Sequence, residues 1–134
     1  MSENLDLVRS IYADWERGDF SRADWADAEI ECVRPDGPSP GQWVGLAGMA
    51  EATRDWLNTW ENSRAAVDEY RELDAERVLV LVRYLGRGKA SGLEIDRLEP
   101  RGAQVFHIHE GQVVRFVQYL DRDRALADLA LEDG

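Results

Sequence analysis

The sequence predicts an α+β fold in which a curved mixed or antiparallel sheet packs against helices. Two apolar stripes at helical spacing lie within the first 60 residues, and stretches that alternate like strands fill most of the rest. Glycines and prolines separate these segments. The 134 residues show no repeat, linker or low-complexity tract, so one domain over 1–134 is expected.

Helices are predicted first along the chain. Residues 5–15 carry apolar side chains at three- and four-residue steps, and Gly18 ends the pattern. Ser21 followed by Asp24 resembles a capping box and predicts a short second helix. Residues 46–60 repeat the helical spacing over about four turns, which makes this the strongest helix signal in the chain.

Strands are predicted around and after the 46–60 helix. A short β-branched run at 29–33 indicates the first strand, and the Pro/Gly-rich stretch 34–45 predicts an irregular loop. Weak alternation at 65–73 and the run RVLVLVRYL at 77–85 predict two more strands. Glycines then mark a turn, and another extended run is expected at 93–98.

A hairpin is predicted over 103–120, with its turn near Glu110-Gly111. A two-residue turn and a three-residue loop would place different partners opposite Phe106. We favour the three-residue loop, which places Val114 there and gathers the apolar side chains of both strands on one face.

Composition and charge exclude several classes of protein. The 16 Lys+Arg and 27 Asp+Glu give 16 − 27 = −11, which argues against nucleic-acid and membrane-surface partners. A hydrophobic share of 44% with five tryptophans excludes general disorder. No apolar run is long enough to span a bilayer, the N-terminus does not resemble a signal peptide, and Cys32 is the only cysteine. We therefore expect a cytoplasmic protein.

Four segments together resemble a known superfamily. A helix ending in Gly-Asp at 18–19 precedes Trp-Ala-Asp at 25–27, a Gly-x-x-Gly-x-x-x pattern begins the helix at 45–52, and VFHIHEGQVVRFVQYLDRDRAL occupies 105–126. The pattern resembles the SnoaL-like branch of the nuclear transport factor 2-like superfamily, which includes ketosteroid isomerases, polyketide cyclases and limonene-epoxide hydrolases. The resemblance implies a cone-shaped α+β barrel whose sheet wraps around the helices and encloses one hydrophobic pocket.

The resemblance also implies positions for catalytic groups, and this chain differs at each of them. The oxyanion tyrosine of the isomerases falls near Ile11, and their general base near Cys32 or Val33. Their second oxyanion acid falls at Gln104, and the water-activating aspartate of the epoxide hydrolases at Gln118. A glutamine can orient a ligand but cannot deprotonate it at neutral pH. The resemblance therefore implies a fold and a pocket rather than one of these reactions.

The residues predicted to line the pocket are aromatic, except for two amides. Gln104 and Gln118 fall among apolar neighbours, where they either hydrogen-bond a ligand oxygen or water, or bond to each other or to Tyr12 in a closed core. The aromatic rings are either plain core or walls for a flat apolar ligand. The predicted ligand-binding residues are Trp15, Trp56, Trp60, Tyr84, Gln104, Phe106, Phe116 and Gln118.

Acid–base and metal chemistry have few candidates. Asp36, in the Pro/Gly-rich loop, is the first choice for a carboxylate that swings into the pocket, with Tyr12 as its partner. His107 and His109 have a spacing that can chelate a metal, but they are expected to face away from the pocket. Cys32 is expected to be a buried structural residue. No metal and no cofactor are predicted.

Two functions remain open on this evidence. The first is a binding protein that holds a small apolar ligand without chemistry of its own. The alternative is a cyclase, isomerase or hydrolase that acts on a polyketide-, terpene- or steroid-like substrate by acid–base chemistry. The missing inward carboxylates favour the binding protein.

Both faces of the predicted sheet carry apolar side chains, and we expect the helices to cover only one face. The second cover is then another subunit, so a homodimer through the outer face is predicted. Light scattering at micromolar concentration should give twice the mass of one chain, and a monomeric mass would contradict the prediction. The apolar residues assigned to the outer face are Leu79, Leu81, Val105, Val113, Val117 and Tyr119.

Overall fold

The computed structural model describes residues 3–17, 19, 24–36, 40–88 and 101–129. Within these residues the chain forms three helices and six strands. The helices are α1 (Glu3–Glu16), α2 (Gly45–Thr59) and α3 (Arg122–Asp128). The strands are β1 (Ala26–Arg34), β2 (Gly41–Val44), β3 (Trp60–Glu72), β4 (Arg77–Gly88), β5 (Arg101–His109) and β6 (Gln112–Tyr119). None of the helices in this part of the chain is long and apolar enough to cross a membrane.

The strands form one curved sheet in the order β2-β1-β6-β5-β4-β3. All neighbours are antiparallel except β1 and β6, which run parallel, so the sheet is mixed. The end strands β2 and β3 do not pair with each other, so the sheet does not close. Helices α1 and α2 pack on one face of the sheet, α1 near β3 and β4 and α2 near β1, β2 and β3. The predicted α+β fold is confirmed.

The main core lies between the sheet and helices α1 and α2. Because successive strand residues point to opposite faces, alternate residues of β4 face the helices and the others face away. The apolar stripe of α1 supplies the facing layer, as its spacing predicts. The buried members of this core from α1, β4 and β5 are Val8, Ile11, Tyr12, Val78, Val80, Val82, Tyr84, Phe106 and Ile108.

The opposite face of the sheet is covered in part by helix α3 of the same chain. Ala125 and Leu126 of α3 pack with outer-face residues of β4–β6, and Leu79 and Val105 there are 0% and 1% exposed. The expectation that helices cover only one face is therefore wrong, because the closing helix folds back across β5 and β6. The homodimer stays a prediction, but an uncovered outer face of the sheet no longer supports it.

Polar contacts hold α3 in this position. The side chain of Asp121 accepts hydrogen bonds from the backbone N–H groups of Asp123 and Arg124, a capping arrangement that satisfies two donors at the helix start. Arg122 donates to the carbonyl oxygen of Val82 at 2.9 Å and to Asp68 Oδ2 at 3.0 Å. The helix is thereby tied to both β3 and β4.

The β5–β6 hairpin has a different register from the one we favoured. Its turn has two residues, Glu110 and Gly111, both with positive φ (51° and 79°), as a two-residue hairpin turn requires. A bulge between Ile108 and His107 then shifts the register of the hairpin. As a result, Phe106 lies opposite Phe116. The predicted three-residue loop is wrong. The bulge turns Val113 into the main core rather than to the outer face.

Other boundaries also differ from the sequence prediction, including that of β1, which runs over Ala26–Arg34 rather than 29–33. Strand β2 lies inside the predicted loop 34–45, where it pairs with β1. Trp60 begins β3 instead of ending the helix, because the chain there pairs with the far end of β4. The same pairing extends β4 to Gly88, into the predicted glycine-rich turn. The predicted helix start at Ser21 and the predicted strand at 93–98 lie outside the described residues.

Gly102 allows a close approach that a larger residue would prevent. A Cβ atom at this position would lie 2.1 Å from Cε2 of Tyr84 and 2.5 Å from the carbonyl oxygen of Tyr119. We expect Gly102→Ala to reduce the free energy of unfolding by about 3 kcal/mol, because the Tyr84 ring or the β5 backbone must move. Urea denaturation measures this.

Gly111→Ala is the matched control. Gly111 has φ of 79° but nothing within 4 Å of an added Cβ, so the substitution costs backbone strain alone, about 1 kcal/mol. Equal losses of unfolding free energy in Gly102→Ala and Gly111→Ala would show that the close contact at Gly102 does not constrain Tyr84.

Candidate ligand site

Aromatic rings from α1, β5 and β6 form one wall of the candidate site. Phe106 and Phe116 face each other across the hairpin with ring centroids 4.9 Å apart. Tyr12 and Trp15 of α1 stand edge-on to them, at 5.8 Å from Phe106 and 5.9 Å from Phe116. Phe106 is fully buried, whereas Trp15 and Phe116 keep part of their surface exposed. The wall is thus a packed layer with a partly open side.

A chain of hydrogen bonds crosses the buried interior beside this wall. The Tyr12 hydroxyl donates to Oε1 of Gln104, and Nε2 of Gln104 donates to the Tyr84 hydroxyl oxygen at 3.3 Å. Tyr84 in turn donates to the carbonyl oxygen of Tyr119 at 2.9 Å. Tyr12, Tyr84 and Gln104 are each 3% exposed or less. Burial raises the pKa of both phenols well above the ordinary value, so neither ionises near neutral pH.

Gln118 lies beside this chain on the neighbouring strand. It is opposite Gln104 in the hairpin register, and its amide lowers the pKa of Tyr84, against the larger effect of burial. Its Oε1 accepts a hydrogen bond from Nε of Arg34 at 3.4 Å. The two amides therefore lie side by side, one bonded to Tyr84 and the other to Arg34.

Arg34 is a buried charge at the end of β1, and only 4% of it is exposed. Its guanidinium donates to Oδ2 of Asp55 at 2.9 Å and to the carbonyl oxygen of Ala52 at 3.2 Å, both on α2. The Cζ atom lies 5.0 Å from the ring centre of Trp43 and 5.3 Å from that of Trp56. Burial lowers the pKa of Arg34, and the bond to Asp55 opposes this shift. The cation is stabilised by hydrogen bonds and two aromatic faces.

Most of the predicted ligand-binding residues form one connected set. Trp56 lies 5.4 Å from the Tyr84 ring, which links the Arg34 region to the hydrogen-bonded chain. Tyr12 then links Gln104 to the aromatic wall. Trp60 is the exception, since it starts β3 rather than extending the inner stripe of α2. The residues brought together are Trp15, Trp56, Tyr84, Gln104, Phe106, Phe116 and Gln118.

The two acid–base candidates have structural partners. The Asp36 carboxylate accepts hydrogen bonds from the backbone N–H groups of Leu120 at 2.7 Å and Asp121 at 3.2 Å. It thus fixes the junction between β6 and α3. The Tyr12 proton is donated to Gln104. Both groups are engaged in holding the fold.

The sulfur and imidazole groups show no activated environment. Burial raises the pKa of Cys32 to about 11, so its thiol stays protonated. Burial, with Arg115 and Arg77 nearby, lowers the pKa of the half-buried His107. Within the described parts of the chain, no group of three or more His, Cys, Asp or Glu side chains is placed to hold a metal ion.

Sequence reasoning missed Arg34, with its partners Asp55 and Trp43. The signal was present in the alternation Ile30-x-Cys32-x-Arg34, which continues one residue past the predicted end of the strand. Extending that strand by one position would have placed a charged residue on the inner face.

The fold and site define a nuclear transport factor 2-like α+β protein. A protein of this fold from Burkholderia pseudomallei, of unknown function, is 23% identical, with a TM-score of 0.79 over 95% of this chain and 97% of the other. TerC, co-crystallised with polyporic acid, is 20% identical, with a TM-score of 0.75 over 96% and 98%. A protein from Jannaschia sp. assigned as a SnoaL-like polyketide cyclase is 13% identical, with a TM-score of 0.70 over 87% and 83%.

Within that fold, the sequence matches one family in particular. The model of the SnoaL-like domain family matches residues 8–116, which include the helices and strands that carry the candidate site apart from Gln118. The chain therefore belongs to the SnoaL-like domain family. A sequence search among curated proteins gives no match.

We expect Tyr84→Phe to reduce the free energy of unfolding by about 2 kcal/mol, because both the carbonyl of Tyr119 and the amide of Gln104 lose a buried partner. Thermal or urea unfolding measures the loss. Tyr70→Phe is the control, since the Tyr70 hydroxyl has no hydrogen-bond partner within the described residues and the ring is only partly buried. Similar losses in the two variants would contradict a central role for Tyr84.

Proposed function

We propose that this SnoaL-like domain binds a small, flat, largely apolar molecule that carries an oxygen atom. The site is the place where Gln104 and Gln118 meet Tyr84 beside the aromatic rings. One observation carries the proposal: two amides lie opposite each other in the sheet, within an aromatic surrounding and beside the buried Tyr84 hydroxyl.

The hydrogen-bonding capacity of the amides supports a ligand. Each glutamine amide has two N–H hydrogens, and the bond to Tyr84 uses one hydrogen of Gln104. The second hydrogen of Gln104 has no acceptor within the described residues, although this side chain is only 3% exposed. An unpaired buried donor costs about 1–3 kcal/mol. A ligand carbonyl or hydroxyl oxygen would satisfy it.

The aromatic side chains support a flat shape for the ligand. Trp15, Trp56 and Phe116 are only partly buried, although each contacts the fully buried core. Partly covered rings beside a few fixed polar groups are typical of small-molecule sites. Stacking on these rings would bury more apolar surface, worth about 25 cal/mol per Å².

Acid–base catalysis on a polyketide-, terpene- or steroid-like substrate is the alternative. It requires a proton donor or acceptor at the site. Asp36 is held by two backbone N–H groups and Tyr12 by Gln104, so binding without proton transfer is favoured. TerC was co-crystallised with polyporic acid and the Jannaschia protein is assigned as a polyketide cyclase, but at 20% and 13% identity they extend to this chain only the fold.

Binding of the neutral dye Nile red tests the proposal. We expect Gln104→Leu and Trp56→Ala each to weaken dye binding about tenfold, because the first removes the polar contact and the second part of the aromatic wall. A fluorescence titration measures the dissociation constants, and circular dichroism shows whether each variant is folded.

Val44→Ala is the matched control. Val44 is 63% exposed, the highest value among the large apolar residues that the structure describes, and lies on the edge strand β2. If the dye merely adheres to surface hydrophobic groups, Val44→Ala should weaken dye binding as much as the site variants do. That outcome would contradict the site assignment.

A further inference from the structure

The ring of Tyr84 lies across a stretch of backbone that has no side chain. Tyr84 belongs to the core on the inner face of β4, and only 1% of it is exposed. A Cβ atom on Gly102 of β5 would lie 2.1 Å from Cε2 and 2.9 Å from Cδ2 of this ring. The ring therefore covers the place on the inner face where residue 102 would otherwise put its side chain.

Two further contacts fix the position of the ring. The hydroxyl of Tyr84 donates to the carbonyl oxygen of Tyr119 at 2.9 Å, which ties the end of the side chain to the backbone of β6. On the helix side, the ring centre of Trp56 lies 5.4 Å from that of Tyr84. The ring is thus held by the sheet and bounded by α2.

This ring limits the proposed site at one end. Side chains at 102, 104 and 106 of β5 share one face of the sheet, because successive strand residues alternate. Gln104 therefore stands between the Phe106 ring of the aromatic wall and Gly102, whose place the Tyr84 ring takes. Nε2 of Gln104 donates to the Tyr84 hydroxyl at 3.3 Å, so the ring lies directly beside the amide. A ligand against this amide has Phe106 at one end and Tyr84 at the other.

We infer that Tyr84 and Gly102 are specificity-determining residues that together set the length of the ligand. The Tyr84 ring closes one end of the site, and the missing side chain at Gly102 determines how far back the ring can lie. The inference rests on the proposed function and specifies the size of its ligand.

Substitutions at the two positions change the site in opposite directions. An added Cβ at position 102 approaches the ring from β5, so the ring has to move away from the sheet, toward Trp56 and the proposed site. Truncation of Tyr84 instead leaves space beside Gln104, because a packed core relaxes only partly around a lost side chain. The first change shortens the site and the second lengthens it.

Three ketones that differ in the number of fused aromatic rings measure this length. Acetophenone has one ring, 2-acetylnaphthalene has two, and 2-acetylanthracene has three in a line. Equilibrium dialysis with absorbance detection gives the dissociation constant of each ketone for the wild-type protein and the variants. Ratios of these constants are compared, because a general weakening of the site affects all three ketones.

The two variants should shift different ratios. We expect Tyr84→Ala to improve binding of the three-ring ketone relative to the two-ring ketone about tenfold, because the end of the site is opened. We expect Gly102→Ala to weaken binding of the two-ring ketone relative to acetophenone about tenfold, because the displaced ring takes up length. Circular dichroism shows whether each variant is folded, and Gly102→Ala keeps the test valid if Tyr84→Ala does not fold.

Leu79→Ala and Gly111→Ala are the matched controls. Leu79 is 0% exposed but lies on the opposite face of β4, so its truncation leaves space in the core away from the site. Gly111→Ala makes the same chemical change as Gly102→Ala, with nothing within 4 Å of the added Cβ. Both controls should keep the wild-type ratios.

The outcomes separate the inference from the proposed function. Opposite shifts in Tyr84→Ala and Gly102→Ala, with wild-type ratios in both controls, would support both. Wild-type ratios in the folded site variants would overturn the inference and leave the proposed function standing. Equal shifts in Leu79→Ala would also overturn the inference, since any loss of core packing would then explain them. If the wild-type protein binds none of the ketones, the proposed function fails and the inference with it.

Discussion

The contact between the Tyr84 hydroxyl and the backbone of Tyr119 is the interaction on which the interior depends. It exists because position 102 has no side chain, so the tyrosine ring can lie against β5 and reach across to β6. Once the single phenol proton is directed to Tyr119, the oxygen of Tyr84 accepts from Gln104. The missing Cβ at position 102 thus allows a hydrogen bond from β4 to the backbone of β6, and that bond sets the orientation of the Gln104 amide on β5.

Arg34 adds a second constraint, which joins elements distant in sequence. A buried cation is costly unless hydrogen bonds and opposite charge surround it. Here the compensation comes from α2, through Asp55 and the carbonyl of Ala52, and from ring faces on β2 and α2. The helix and the edge strand are therefore held to the end of β1 by the same group that donates a hydrogen bond to Gln118.

Periodicity predicted the parts of the fold that repeat. Alternation separated the two faces of β4, and the apolar stripe of α1 located one wall of the site, because burial on one face imposes these patterns. The hairpin register was not predictable in this way, because one bulged residue shifts every later pair of the two strands. Whether a bulge forms depends on contacts between strands, which periodicity does not report. Arg34 was missed because a charged residue before Pro35 is more typical of a loop, and only tertiary partners make its burial favourable.

The balance of charge inside the site bears on what the domain does with a ligand. The chain carries a net charge of −11, yet the polar side chains beside Tyr84 are two neutral amides, one of which accepts a hydrogen bond from the Arg34 guanidinium. Under the proposed function, the amide hydrogens hold a ligand oxygen and stabilise negative charge on it, and the amides exchange no proton near neutral pH. The contribution of the protein to the ligand would then be orientation and electrostatic stabilisation.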